Sequence, residues 1–103
     1  MAQFNAADTR RKRMIARRYF ISGKVQGVGY RYFAQRAAAK HQVRGFIKNL
    51  NDGRVEAFAQ GPESAVNAFK DDLAAGPPFS AVNMLEEIVE EPTGEYPAFR
   101  IER

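Results

Sequence analysis

The chain has 103 residues, 45% of them apolar and 27% charged, the make-up of one globular domain. It has no cysteine and one histidine, His41, which excludes disulfides, thiolate metal sites and cysteine nucleophiles and leaves no material for a multi-histidine centre. The net charge of +4 divides unevenly, because residues 1–18 carry six bases against Asp8 while residues 19–103 carry ten bases against eleven acids.

The basicity therefore belongs to an N-terminal arm, placed at 1–17, ahead of a domain at 18–103. Residues 1–13 have no apolar period and are expected to be disordered. Met14 is a second candidate start. An Arg-rich, acid-poor arm is also the composition of a mitochondrial transit peptide, but this one is short and lacks serine. There is no signal-peptide core and no apolar run near the roughly 18 residues that span a bilayer. A cytoplasmic protein without membrane attachment is expected.

Residues 18–25 read as a strand, with Tyr19, Ile21, Gly23 and Val25 on one face. A glycine-rich stretch, Gln26-Gly27-Val28-Gly29, leads into a helix over 30–41. Its Tyr30, Phe33, Ala34, Ala37 and Ala38 form an apolar stripe. Residues 43–49 and 54–60 read as two strands joined by Asn51-Asp52-Gly53, a hairpin turn signal. Pro62 sits near the start of a second helix over 62–75, buried through Val66, Phe69 and Leu73 and stopped by Gly76-Pro77-Pro78. Residues 80–90 read as a fourth strand, made a charged edge by Glu86, Glu87 and Glu90 with Glu91 after it. Residues 97–102 form a short last strand. The order βαββαβ plus a terminal strand predicts an α+β, ferredoxin-like α/β sandwich. Its antiparallel or mixed sheet carries two helices on one face.

Two segments carry chemistry. In Gly23-Lys24-Val25-Gln26-Gly27-Val28-Gly29-Tyr30-Arg31 a strand ends, glycines surround a loop, and a helix begins with an arginine in its first turn. Glycines let main-chain N–H groups converge, and the helix start adds unpaired N–H groups and partial positive charge. Such a loop is either an anion nest or a plain tight turn beside a solvated arginine. The second segment is Gly45-Phe46-Ile47-Lys48-Asn49, followed by the turn and Gly53-Arg54-Val55-Glu56. Asn49 ends its strand with the parity of Val43, Gly45 and Ile47, so it is predicted on the helix-covered side. A right-handed crossover makes the first two strands parallel, which brings Asn49 to the edge where loop 23–31 lies. There it either orients a water or satisfies the hairpin backbone.

Together the two segments resemble the acylphosphatase family over residues 18–103. The family's glycine, any residue, Val-Gln-Gly-Val and closing arginine appear at 23–31. Its glycine, aromatic, small apolar, basic, asparagine and Gly-x-Val-Glu appear at 45–56. Ile47 departs from the more usual Val, Ala or Cys by a methylene at a core position. Tyr96-Pro97-Ala98-Phe99-Arg100-Ile101 is similar to the family's last strand.

The resemblance implies hydrolysis of acyl phosphates to carboxylate and inorganic phosphate, with no metal, no cofactor and no covalent phosphoenzyme. It implies that Arg31 and the main-chain N–H groups of Val25, Gln26, Gly27, Val28, Gly29 and Tyr30 bind the phosphoryl group, and that Asn49 positions the water. A carboxylate leaves without needing a proton, so the absence of a visible general acid is consistent. The proton acceptor is expected to be the substrate phosphate. Lys24 and Lys48 flank the motifs and either draw in anions or are plain solvated residues. His41 is expected away from the site at the end of its helix. The side chains of Tyr30 and Phe33 are expected in the core.

The implied partners are an acyl phosphate substrate and phosphate as product and inhibitor, with no nucleic acid and no membrane. A monomer is expected. Three other readings share the fold. An RNA-recognition module begins alike at Arg44-Gly45-Phe46-Ile47, but Lys48 and Asn49 replace its Phe-Val. The same motif occurs as an accessory domain of hydrogenase-maturation carbamoyl-transfer proteins; the end of the chain just after its last strand is read as favouring a free-standing enzyme. A catalytically idle interaction domain would leave Arg31 and Asn49 unused.

Overall fold

Strand β1 begins earlier than the apolar pattern predicts. The computed structural model describes residues 13–103, and β1 runs over Met14–Lys24, four residues ahead of the expected start at 18. Ile15 and Ala16 are buried. Arg17 and Arg18 interrupt the apolar run, but each meets carboxylates across the sheet. Arg17 pairs with Glu87 at 3.4 Å, and Arg18 with Glu56 and with Glu90. These partners lie 38 to 72 residues away, so a local reading ends the strand where tertiary charge pairing sustains it. Residues 1–12, most of the expected arm, lie outside the described residues.

The remaining elements follow the expected order: α1 Tyr30–His41, β2 Arg44–Asn49, β3 Val55–Pro62, α2 Glu63–Ala75, β4 Ala81–Glu90 and β5 Phe99–Glu102. Their bounds differ from the expected ones by two residues or fewer. The sheet runs β4-β1-β3-β2-β5. β3 is antiparallel to both β1 and β2, and β5 joins parallel to β2. The sheet is therefore mixed, and the fold is ferredoxin-like α+β. β1 and β2 run parallel to one another on either side of β3, so their C-terminal ends share one edge of the sheet.

The main core fills the space between the sheet and the two helices. Tyr19, Ile21, Ile47, Val55 and Ala57 from the sheet meet Tyr30, Ala34 and Ala38 of α1 and Val66, Phe69 and Leu73 of α2. Alanines on α1 let that helix lie close to the sheet. Phe33 is only half-buried, unlike the rest of its stripe. The helices are also joined through His41, whose Nε2 donates to Asp72 Oδ2 at 2.8 Å.

The face without helices carries a second, smaller cluster of Ala16, Phe46 and Phe58, with Tyr96 packed on it. The Arg18 guanidinium lies over both rings, 5.7 Å from the Phe46 centroid and 5.3 Å from that of Phe58. Its hydrogen bond to Glu90 holds its pKa above the ordinary value, against the opposing cost of burial.

Candidate active site

The loop between β1 and α1 alternates in backbone sign. Gly27 and Gly29 have φ of 74° and 76°, while Gln26 and Val28 between and before them have negative φ. Alternation of this kind is what an anion nest requires, since it can turn successive N–H groups toward one side. A Cβ added at either glycine would meet nothing within 4 Å. These two glycines therefore serve the backbone turn and leave open space over it, rather than avoiding a neighbouring atom. Gly23 has the opposite reason: its Cβ would lie 2.1 Å from the Ala81 carbonyl, where β1 and β4 shift register.

The side chains of the loop face away from that open space. Val25 and Tyr30 are 1% exposed, and Val28 packs against the core. What these residues can offer a ligand is their main-chain N–H. The Tyr30 hydroxyl donates to the Leu73 carbonyl at 2.6 Å, and burial pushes its pKa well above the ordinary phenol range.

Helix α1 starts from Gly29 with no side-chain cap and no acidic residue in its first turn. Its first N–H groups are thus left for a ligand, and the positive end of its dipole is uncompensated. Arg31 lies in this turn, half-buried, with no ion-pair or hydrogen-bond partner among the described residues. A guanidinium there can bind two oxygens of a tetrahedral anion at once.

Asn49 is the last residue of β2 and pairs with Val55 of β3, whose side chain is in the main core. It therefore points to the helix-covered side, as its parity predicts. Its Oδ1 is buried and has no hydrogen-bond partner among the described residues. An acceptor left in that state is costly unless something outside the protein uses it.

The loop and the hairpin do meet at the predicted edge, through a side chain with no contact role in the sequence reading. Gln26 Nε2 donates to the carbonyls of Leu50 at 2.8 Å and Arg54 at 2.9 Å. Both acceptors are main-chain atoms 24 and 28 residues away, so no local pattern could have marked them.

Other flanking residues lie elsewhere. Lys48 is on the helix-free face, 3.9 Å from Glu56 and over the Phe46 ring, so it does not serve the site. Strand alternation next to Asn49 already implies this. Lys24 is exposed at the end of β1. His41 lies at the far end of α1, as expected. A cleft of about 460 Å³ between the C-terminal half of α1 and Ala98-Phe99 lies at the start of β2, opposite the Asn49 end. Among the described residues no group of three or more His, Asp or Glu side chains is placed to hold a metal, and no helix is long and apolar enough to cross a membrane. On the helix-free face Phe46 and Phe58 are 6% and 2% exposed beneath Tyr96 and Arg18, so these two rings are not open to base stacking.

Comparison with known proteins finds matches in sequence and in fold. The family model described as Acylphosphatase matches residues 17–101. An acylphosphatase of Solibacter usitatus is 48% identical over 86 residues, covering 84% of this chain and 88% of that protein. The crystal structure of acylphosphatase from Bacillus subtilis superposes with a TM-score of 0.83 at 38% identity, covering 86% of this chain and 99% of that one. A full-length HypF, in its phosphate- and nucleotide-bound form, matches with a TM-score of 0.78 at 26% identity, covering 89% of this chain but 12% of HypF.

Proposed function

This chain belongs to the acylphosphatase family of hydrolases, and we propose that it cleaves the phosphorus–oxygen bond of acyl phosphates with Arg31, the loop main chain and Asn49. The proposal is carried by the uncapped start of α1 and the unpartnered Oδ1 of Asn49, on segments that the Gln26 hydrogen bonds join.

In this reading the phosphoryl oxygens sit on the N–H groups of residues 25–30 and on the Arg31 guanidinium. Asn49 Oδ1 accepts a hydrogen bond from the attacking water and aims its oxygen at phosphorus. The water oxygen bonds to phosphorus as the acyl oxygen departs with the bonding pair. The water's proton passes to a phosphoryl oxygen, giving carboxylate and inorganic phosphate. The leaving carboxylate needs no acid, so positioning and charge stabilisation are enough. No metal or cofactor enters this scheme. Inorganic phosphate, which shares the bound head group, should compete with substrate.

The likeness to the acylphosphatase of Bacillus subtilis exceeds that to HypF in both identity and TM-score, which supports a hydrolase over an idle interaction domain. A monomer is the assembly proposed for it. The cytoplasm is the compartment proposed for it.

Hydrolysis of benzoyl phosphate in ¹⁸O-labelled water containing EDTA tests the reading. Label should appear in the phosphate and not in the benzoate. Label in benzoate would mean attack at the carbonyl carbon, and no turnover would remove the assignment.

A further inference from the structure

We propose that the Gln26 side chain is a positioning residue that sets Asn49 in place against the phosphate-binding loop. The inference rests on the water-positioning role given to Asn49 above.

The Gln26 amide faces two carbonyls, those of Leu50 and Arg54. Two acceptors require a donor, so the nitrogen and not the oxygen must face them, and each N–H serves one carbonyl. The same two carbonyls close the β2–β3 hairpin. Leu50 N–H donates to the Arg54 carbonyl at 2.8 Å, and Gly53 N–H to the Leu50 carbonyl at 3.2 Å. Asp52 stiffens the turn further, accepting from Arg54 main-chain N–H at 3.0 Å and from Arg54 Nε at 2.9 Å. The hairpin therefore moves as a unit, and Gln26 ties that unit to the loop.

Asn49 immediately precedes Leu50. Its Oδ1 has no protein partner to hold it among the described residues, so its placement depends on the main chain at 49–50. That main chain is referenced to the nest by the Gln26 bonds. A glutamine is the side chain that fits: glutamate would aim a carboxylate at two carbonyls, and asparagine is one methylene short of both. The phosphate-binding N–H groups and Arg31 do not depend on the tie, so its loss should separate turnover from phosphate affinity. A displacement of about 1 Å of a positioning group can cost on the order of 10²-fold in rate.

The test is steady-state hydrolysis of benzoyl phosphate, with inorganic phosphate as competitor, for Gln26→Met, Asn49→Ala and the double variant, each checked for folding by circular dichroism. Gln26→Met should lower kcat by roughly 10- to 100-fold while the phosphate inhibition constant stays within about threefold. Because Gln26 acts through Asn49, the double variant should be no slower than Asn49→Ala by more than about threefold. Gln26→Asn should show the same split, and carries the test if Gln26→Met fails to fold. Three results would overturn the inference while leaving the role of Asn49 intact: full kcat in a folded Gln26 variant, loss of phosphate affinity in proportion to kcat, or losses that multiply in the double variant. Full turnover in Asn49→Ala would instead remove the role of Asn49 and the inference with it.

Discussion

The Tyr30 hydroxyl donates to the carbonyl of Leu73 at 2.6 Å, joining the first residue of α1 to the last turns of α2. Leu73 is near the end of α2, where carbonyls lack a helical donor. Tyr30 thus satisfies an orphan acceptor and fixes the start of the helix whose first N–H groups are assigned to phosphate in the proposed function.

Tyr30→Phe should therefore destabilise the fold by about 1–2 kcal/mol, since it leaves a buried carbonyl unpaired. Urea unfolding of the two proteins measures the difference. An unchanged midpoint would show that the bond contributes nothing.

The α1–α2 contact gives a pH dependence with a defined sign. Burial acts to raise the Asp72 pKa, but its hydrogen bonds with His41 and Lys40 outweigh that cost and hold it below the usual carboxylate value. A depressed folded-state pKa contributes stability above the unfolded value of about 3.9, lost as the pH falls through the folded one. Asp72→Asn should be less stable than the parent at pH 5–7, and the gap should narrow below about pH 4. Urea midpoints across pH 2.5–7 check this; a gap that stays constant into acid would contradict it.

Helix α1 ends on Gln42 in the left-handed region, at φ 60°, with Val43 N–H bonded to the Ala38 carbonyl at 3.0 Å. A side chain is strained there and glycine is not. Gln42→Gly should stabilise by about 0.5–1 kcal/mol, read as a rise in melting temperature of a few degrees. A lower melting temperature would mean that the Gln42 side chain contributes more than the strain costs.

Much of the site is legible in the chain because its determinants are local or periodic. The glycines mark the turn, strand parity puts Asn49 on the helix side, and the crossover rule puts it at the loop's edge. The same parity assigns Lys48 to the opposite face, where it meets Glu56. Illegible features depend on partners distant in sequence. Arg17 reads as the end of an arm and Arg18 as the first residue of the strand until Glu56, Glu87 and Glu90 are seen across the sheet. The Gln26 tie ends on carbonyls, which carry no residue identity. Gly23 and Gly27 look alike in sequence, yet one avoids a carbonyl and the other faces open space.

The division of labour proposed for Arg31 and Asn49 is tested most directly by kcat and the phosphate inhibition constant for benzoyl phosphate hydrolysis in Arg31→Ala and Asn49→Ala. Arg31→Ala should lose at least about 10²–10³-fold in kcat and bind phosphate more weakly. Asn49→Ala should lose turnover on a similar scale while its phosphate inhibition constant stays within about threefold. Full turnover in Asn49→Ala, or a matching loss of phosphate affinity, would contradict a water-positioning role for Asn49.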